Sequence, residues 1–267
     1  MKKDKPEVES YFDQYAKDYN YDDLPPGAMR FADDITWHFI SKYLPKNLNA
    51  KILDAGAGEG YWTQKLIEIG YKNITLLDIS QSMLNEAKKR LSEINLEINV
   101  QFIKGNIINM KELEENTFDY VFSQYDAVSY CMEPKLAMKE LARVAKKNSY
   151  VIVSLDTKFS RVLEFIEAEQ ISELKKLLET NVSNEMGFPS YNLTWEELEE
   201  CYTEAGLRVL EVVGAPVFVH LVNEEILKKL ESNPEIRNEL LKIELQNCTN
   251  KSLVNFAGHL QMIGKKV

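Results

Sequence analysis

The sequence predicts an α/β fold built on a doubly wound, mostly parallel sheet, and three observations carry that expectation. Short apolar runs recur through the first half of the chain: KILD at 51–54, ITLLD at 74–78, FDYVFS at 118–123 and SYVIVSL at 149–155. Amphipathic segments separate these runs, with apolar residues spaced three and four apart as a helix requires. Glycines cluster directly after the first run, at Gly56, Gly58 and Gly60. Strands this apolar need helices on both faces, which is the layering of a parallel sheet. Right-handed crossovers then impose a doubly wound order.

Taken in order, residues 8–20 place Val8, Phe12, Tyr15 and Tyr19 at helical spacing, and Pro25-Pro26-Gly27 ends that helix. A second helix over 29–44 gathers Phe31, Ile35, Phe39, Ile40 and Tyr43 on one face and stops at Pro45. Strand 51–54 is followed by a helix over 61–69 closed by Gly70, strand 74–78 by a helix over 82–94, and strand 99–103 by strand 118–123. A helix over 134–145 leads into strand 149–155. Beyond residue 156 the pattern changes. Residues 159–180 read as one long charged helix, and 181–191, with Gly187 and Pro189, as a loop. Thr194 with Glu197 forms a capping box for a helix ending at Gly206. Residues 207–213 form a sixth strand, 223–248 a helical cover and 258–264 a closing strand. The expected organisation is an N-terminal helical lid (1–48), a binding core (49–157), and the rest of the core with inserted helices covering a substrate pocket (158–267).

Composition narrows the function. With 32 basic against 42 acidic residues the formal charge is −10, and no basic stripe is present to neutralise phosphates, which argues against a nucleic-acid partner. Such a field suits a neutral or cationic small molecule or a peptide. Cys131, Cys201 and Cys248 are too few and too dispersed for a disulfide framework or a zinc site. No apolar run approaches 18 residues, and the N-terminus leads into an acidic, Tyr-rich stretch, so neither secretion nor membrane spanning is expected and the cytoplasm is the expected location.

The most informative segment is Asp54-Ala55-Gly56-Ala57-Gly58-Glu59-Gly60, between a strand and a helix. Glycines there let the backbone turn sharply and let a ligand approach without a Cβ in its way. Asp78 ends the next strand, where a carboxylate can accept hydrogen bonds from both hydroxyls of a ribose. A phosphate-cradling loop would need a Lys after the glycines, and a dinucleotide loop would place its last glycine one residue later. A nicotinamide oxidoreductase is therefore a distant alternative.

Together with Leu77-Asp78-Ile79-Ser80-Gln81-Ser82-Met83-Leu84, Gly105-Asn106-Ile107, the strand at 118–123 and Glu140-Leu141-Ala142-Arg143-Val144, this loop resembles the class I S-adenosylmethionine-dependent methyltransferases of the small-molecule type, with a UbiE-like core. The resemblance implies a Rossmann-like sheet of order 3-2-1-4-5-7-6 with its last strand antiparallel. It implies S-adenosylmethionine as cofactor and S-adenosylhomocysteine as product. It places Gly56, Ala57 and Gly58 along the methionine and ribose, Asp78 on the ribose hydroxyls, and Ile79 and Met83 beside the adenine. Asn106 stands where the family usually has Asp, its carbonyl still able to accept from the adenine amino group, with Ile107 next to the ring and Ser123 at the end of the fourth strand. In similar enzymes a Tyr and an Arg of the N-terminal segment reach the cofactor carboxylate. Arg30, Tyr11 and Tyr19 are the candidates here, since a guanidinium grips a carboxylate with two parallel bonds. The family's Pro-Gly-Gly turn before strand five is replaced by Lys146-Lys147-Asn148-Ser149, where Asn148 tolerates left-handed backbone.

Methyl transfer from a sulfonium mainly needs an aligned, desolvated nucleophile, and a base only if that nucleophile must lose a proton. The loop after the fourth strand faces the cofactor methyl in this fold. Asp126 is the candidate to orient an amine or accept a proton and Tyr125 to wall the pocket, with Asp156 second, against the plainer reading of Asp126 as a turn residue. His38, His220 and His259 stand isolated in sequence, so no metal site is expected. The expected activity is methyl transfer to an N or O atom of a small molecule or short peptide, by a monomer or homodimer. A non-catalytic cofactor- or partner-binding module with the same fold is the alternative.

Overall fold

The computed structural model describes residues 7–18, 27–94 and 98–267. Helices α1 (Glu7–Tyr15) and α2 (Ala28–Lys42) precede β1 (Lys51–Ala55), α3 (Tyr61–Glu68), β2 (Asn73–Asp78), α4 (Gln81–Ser92), β3 (Asn99–Lys104) and β4 (Phe118–Ser123). Then come α5 (Ala127–Tyr130), α6 (Pro134–Val144), β5 (Ala145–Asp156), α7 (Lys158–Glu167), α8 (Ile171–Thr180), β6 (Val182–Glu185) and β7 (Phe188–Tyr191). The chain closes with α9 (Trp195–Glu204), β8 (Leu207–Ala215), α10 (Glu224–Glu231), α11 (Pro234–Asn247), α12 (Lys251–Val254) and β9 (His259–Lys266).

Seven strands form one sheet in the order β3-β2-β1-β4-β5-β9-β8, and β6 and β7 form a separate hairpin. The pairs from β3 to β5 are parallel, and β9 runs antiparallel to both β5 and β8. With the hairpin set aside, this is the order and direction that the family resemblance implies. Alternation along each strand explains why both faces are covered, because successive side chains point to opposite sides. Val121, Val151, Val153, Leu260 and Met262 join a core under α6 and α9. Ile52, Tyr120, Phe122, Ile152 and Ile263 join a second core under α2, α3 and α4.

Three elements differ from the sequence reading. The helix expected over 159–180 is broken at Glu169, whose φ of 56° sets a left-handed turn where Gln170 N–H donates to Phe165 O at 2.8 Å. A glycine usually marks such a turn, and none is present. The expected helix over 223–248 is broken at Asn233-Pro234, where the Asn233 side chain accepts from Glu235 N–H at 3.0 Å and Pro234 opens α11. The stretch taken as a loop forms the β6–β7 hairpin, turned by Met186 (φ 46°) and Gly187 (φ 89°). A left-handed pair at a two-residue hairpin turn normally calls for Asn-Gly, so Met-Gly concealed it. The capping box is present in full, with Glu197 N–H on Thr194 Oγ1 at 3.3 Å and Thr194 N–H on Glu197 Oε2 at 2.9 Å. Asn148 takes the left-handed backbone, at φ 67°. Among the described residues no helix is long and apolar enough to cross a membrane.

The covering of β9 by α9 leaves no slack. A Cβ on Gly264 would fall 2.5 Å from the ring of the buried Tyr202, whose hydroxyl donates to Met262 O at 2.7 Å. Gly264→Ala is expected to cost about 1–3 kcal/mol through overpacking, lowering Tm by several degrees in a thermal melt.

Candidate functional site

The carboxyl ends of the parallel strands open onto a cavity of about 380 Å³. Its floor is the turn after β1. Gly56, Gly58 and Gly60 all adopt positive φ (77°, 52° and 79°), a region glycine enters without a Cβ penalty. At Gly56 a Cβ would lie 2.3 Å from the Cβ of Ala127, whereas at Gly58 it would meet no atom within 4 Å. The first glycine is thus needed for close packing against α5, and the second leaves room for a ligand.

The amides of Gly56, Ala57 and Gly58 are already committed. The N–H groups of Gly56 and Ala57 both donate to Leu77 O, at 2.7 and 3.1 Å, and Gly58 N–H donates to Asp78 Oδ2 at 2.8 Å. Ser80 N–H donates to Asp78 Oδ1, also at 2.8 Å. These amides are therefore not free to form the nest a phosphate site needs, and what the turn offers is shape and negative charge.

Asp78 is buried against the cavity wall. Burial pushes its carboxyl up to about 6, opposed by the Ser80 and Gly58 amides and reinforced by Asp13. Asp54, below it, accepts from Thr63 Oγ1 at 2.7 Å. Burial raises Asp54 to about 7, and the neighbouring Asp78 adds to the rise. No Lys, Arg or His is among the described residues lining the cavity. A nucleoside with ribose donors and a positive charge fits this donor-poor, acid-rich cradle; a pyrophosphate does not.

Of the residues singled out from sequence, Gly56, Ala57, Gly58, Asp78, Ile79, Met83, Asn106, Ile107 and Tyr125 line the cavity. Asn106 Oδ1 accepts from Ile108 N–H at 3.1 Å, which fixes the turn after β3. Four others are placed elsewhere. Ser123 is buried beneath Gly56, its Oγ without a hydrogen-bond partner. Tyr11 packs on Phe12, Tyr15 and Phe188 at 5.2–5.3 Å between ring centroids. Arg30 is exposed on α2 and acts electrostatically on Glu231; it precedes the fully buried Phe31, and the helical step that turns Phe31 inward turns Arg30 out. Asp126, at φ 71°, is buried with Oδ1 accepting from Asp156 N–H at 2.6 Å, so it braces the end of β4 on the end of β5. Tyr19 lies outside the described residues.

The structure also adds residues that sequence spacing did not single out for the cavity. Helix α1 contributes Val8 and Phe12, α3 contributes Tyr61 and Trp62, the turn after β4 contributes Gln124, and the hairpin contributes Phe188 and Pro189. Phe12, Tyr130 and Phe188 meet at 5.0–6.1 Å between centroids, closing a roof from three elements. Helix α1 is clasped at both ends: Asp13 accepts from Ser80 Oγ at 2.6 Å and Ser82 N–H at 3.1 Å, and Lys104 pairs with Glu9 at 2.8 Å. The histidines are not all isolated in space. Asp126, Asp156 and His259 bring ligand-type atoms within 4.8 Å of one another, a cluster that three separate strand ends conceal in the sequence. His220 stays outside the cavity wall, its Nε2 2.5 Å from Phe256 O.

A family model described as a methyltransferase domain matches residues 46–206. A ubiquinone/menaquinone biosynthesis C-methyltransferase, UbiE, of Rickettsia prowazekii is 35% identical over 127 residues, covering 45% of this chain and 48% of that protein. The chain thus matches about half the length of that relative. The tRNA 5-carboxymethoxyuridine methyltransferase of Escherichia coli is 20% identical over 94% of this chain and 97% of its own length. Among solved structures, a SAM-dependent methyltransferase of Methanosarcina mazei shares the fold with a TM-score of 0.61 at 16% identity, over 86% of this chain and 97% of the other.

Two outcomes follow from the buried acids. A carboxylate, not a carboxylic acid, accepts both ribose hydroxyls. With Asp78 at about 6, calorimetric affinity for S-adenosylhomocysteine is expected to be level above pH 7 and to fall about tenfold per pH unit once Asp78 is protonated. Asp54 has the raised value of a buried acid, so its charge costs stability increasingly as pH climbs from its unfolded pKa of about 4 to about 7. Asp54→Asn is therefore expected to raise Tm at pH 8, with the gain vanishing by about pH 4.

Proposed function

The chain belongs to the class I S-adenosylmethionine-dependent methyltransferase family, and from that premise we propose that it transfers the cofactor's methyl group to a nitrogen or oxygen atom of a small molecule or short peptide. The observation that carries this reading is the buried Asp78 carboxylate beside an open glycine turn, in a cavity whose described lining holds no cationic side chain. When bound, the sulfonium supplies an already activated methyl group.

The protein's own residues then have four tasks. Asp78 holds the ribose, and Gly58 leaves the space beside it. Ile79, Met83, Asn106 and Ile107 wall the adenine. Tyr125 walls the end of the cavity nearest β4, its ring fixed by a hydroxyl bond to Asp33 and by Trp62 at 5.7 Å. Helix α1 and the β6–β7 hairpin close the roof and exclude water, while α2 packs on the sheet and β8 and β9 complete it.

The lining also bears on the acceptor. A phosphate or carboxylate buried against these walls would find no counter-charge among the described residues, a costly placement. That favours an uncharged or cationic small acceptor over a nucleic acid.

Incubation with methyl-labelled S-adenosylmethionine and a metabolite extract is expected to place label in the low-mass fraction and not in RNA. Asp78→Ala is expected to weaken S-adenosylhomocysteine binding about 10- to 100-fold, the worth of two charge-assisted hydrogen bonds partly offset by water. Undiminished binding would remove Asp78 from the ribose.

A further inference from the structure

We propose that Gln124 binds the methyl acceptor through a side-chain N–H that Gln261 holds in orientation, and that the acceptor meets it with an uncharged carbonyl oxygen or ring nitrogen. The inference rests on the methyltransferase reading above. Gln124 is the first residue after β4, and it is buried while lining the cavity. The turn that carries it is pinned to β5. Tyr125 N–H donates to Ser154 Oγ at 3.0 Å and Asp126 N–H to Ser154 O at 3.3 Å. Tyr125 (φ 53°) and Asp126 (φ 71°) are both left-handed, a conformation that persists only where surrounding bonds impose it.

The side chain is fixed as well. Gln261 Nε2 donates to Thr36 O at 3.3 Å and to Gln124 Oε1 at 3.1 Å. Gln124 Nε2 donates in turn to Ile152 O at 3.3 Å. The backbone carbonyls at the two ends of this relay can only accept, which settles which way round each amide stands. Turning either amide over would set its oxygen against a carbonyl oxygen. Both N–H groups of Gln261 are committed, whereas Gln124 keeps one N–H with no partner among the described residues. Packing alone does not account for Gln261. It is fully buried in β9 between Leu260 and Met262, and neither its Oε1 nor Thr36 Oγ1 has a partner among the described residues. An apolar side chain would avoid the cost of a buried orphan acceptor. Local rules are broken in this way chiefly at functional sites, and what Gln261 secures is the orientation of Gln124.

The free N–H defines the acceptor. Tyr125, Ala127 and Tyr130, the lining residues that follow Gln124 in the chain, offer aromatic and apolar surface. A donor held against such a wall loses its water when the cavity fills, so an acceptor without a lone pair at that point leaves it unpaired and is rejected. An anionic oxygen could take the bond, but it would find no counter-charge among the described lining residues. A neutral carbonyl oxygen or ring nitrogen meets both conditions. Gln124 neither gains nor loses a proton in this role. It sets the position of the acceptor, and Gln261, which does not line the cavity, acts through it as a positioning residue.

Methyl-labelled S-adenosylmethionine and graded amounts of a metabolite extract test this in the full chain. The main labelled product is expected to carry a carbonyl group or a ring nitrogen by mass spectrometry. In Gln124→Met the extract concentration for half-maximal labelling should rise about tenfold, the order that one hydrogen bond supplies. Affinity for S-adenosylhomocysteine should stay within twofold of the parent. Gln261→Met should show the same rise, and the double variant no more than either alone, because all three remove one interaction. A product with neither group, an unchanged half-maximal concentration, or losses that add in the double variant overturns the proposal. So does weakened cofactor binding in Gln124→Met, which assigns the amide to the cofactor instead. A measurement on the parent protein does not depend on how the variants fold. With S-adenosylhomocysteine bound, the nitrogen-15 side-chain amide signal of Gln124 should shift on adding the isolated product, and an unmoved signal overturns the proposal. No transfer by the parent overturns the methyltransferase activity, and this inference with it.

Discussion

Asp78 is the tie on which the site depends. Its two oxygens take the N–H groups of Gly58 and Ser80, so one side chain binds the turn after β1 to the start of α4. The cost is a carboxylate out of water with Asp54 and Asp13 nearby, and the raised carboxyls of Asp78 and Asp54 record it. Like charges gathered in a low-dielectric wall hold each other towards the neutral form. A ligand that brings a positive charge and two hydroxyl donors relieves that repulsion, and one that brings phosphates worsens it. The same feature that strains the protein therefore selects a sulfonium nucleoside over a dinucleotide.

The sheet makes this arrangement available. Apolar alternation fixes which face each strand residue serves, and parallel pairing from β3 to β5 brings every loop that follows those strands to a single edge. The order β3-β2-β1-β4 then sets the turns bearing Asn106, Asp78, Gly56 and Tyr125 side by side. Gly56 lets α5 approach closely enough for this, since any side chain there would strike Ala127.

How much of this was legible in the sequence depended on the range of the interaction. The strands, the glycine turn and Asp78 rest on local signals (apolar runs, a glycine cluster and an acid at a strand end), whereas the order of the strands came from the family resemblance. Arg30 was placed by analogy, and its helical phase, one step from Phe31, carries it outward instead. Asp126 was a candidate to orient an amine or accept a proton, against a plainer reading as a turn residue; the structure sets it in a left-handed turn and gives its oxygen to the backbone of Asp156, a bond between two strand ends that spacing cannot reveal. The hairpin that supplies Phe188 escaped notice because its turn is Met186-Gly187. The break in the long helix escaped because Glu169 turns left-handed without a glycine. By contrast, Asn233-Pro234 was a readable stop, hidden by the charged amphipathic pattern around it.

The last strand explains why residues from the far end of the chain meet the carboxyl ends of the parallel strands. In a wholly parallel sheet a strand's first residue lies at the edge opposite the ligand, and only its last residue and the loop beyond can take part. Because β9 is antiparallel, its first residue, His259, arrives at the ligand edge beside Asp156, the last residue of β5. Antiparallel insertion therefore does more than fill the sheet. It lets one position in β9 meet the ends of β4 and β5, with Gln261 two residues on still in reach of Gln124 at 3.1 Å. The loops of the parallel strands alone would not back the cavity-lining Tyr125 with the His259 ring, at 4.9 Å, or Gln124 with Gln261.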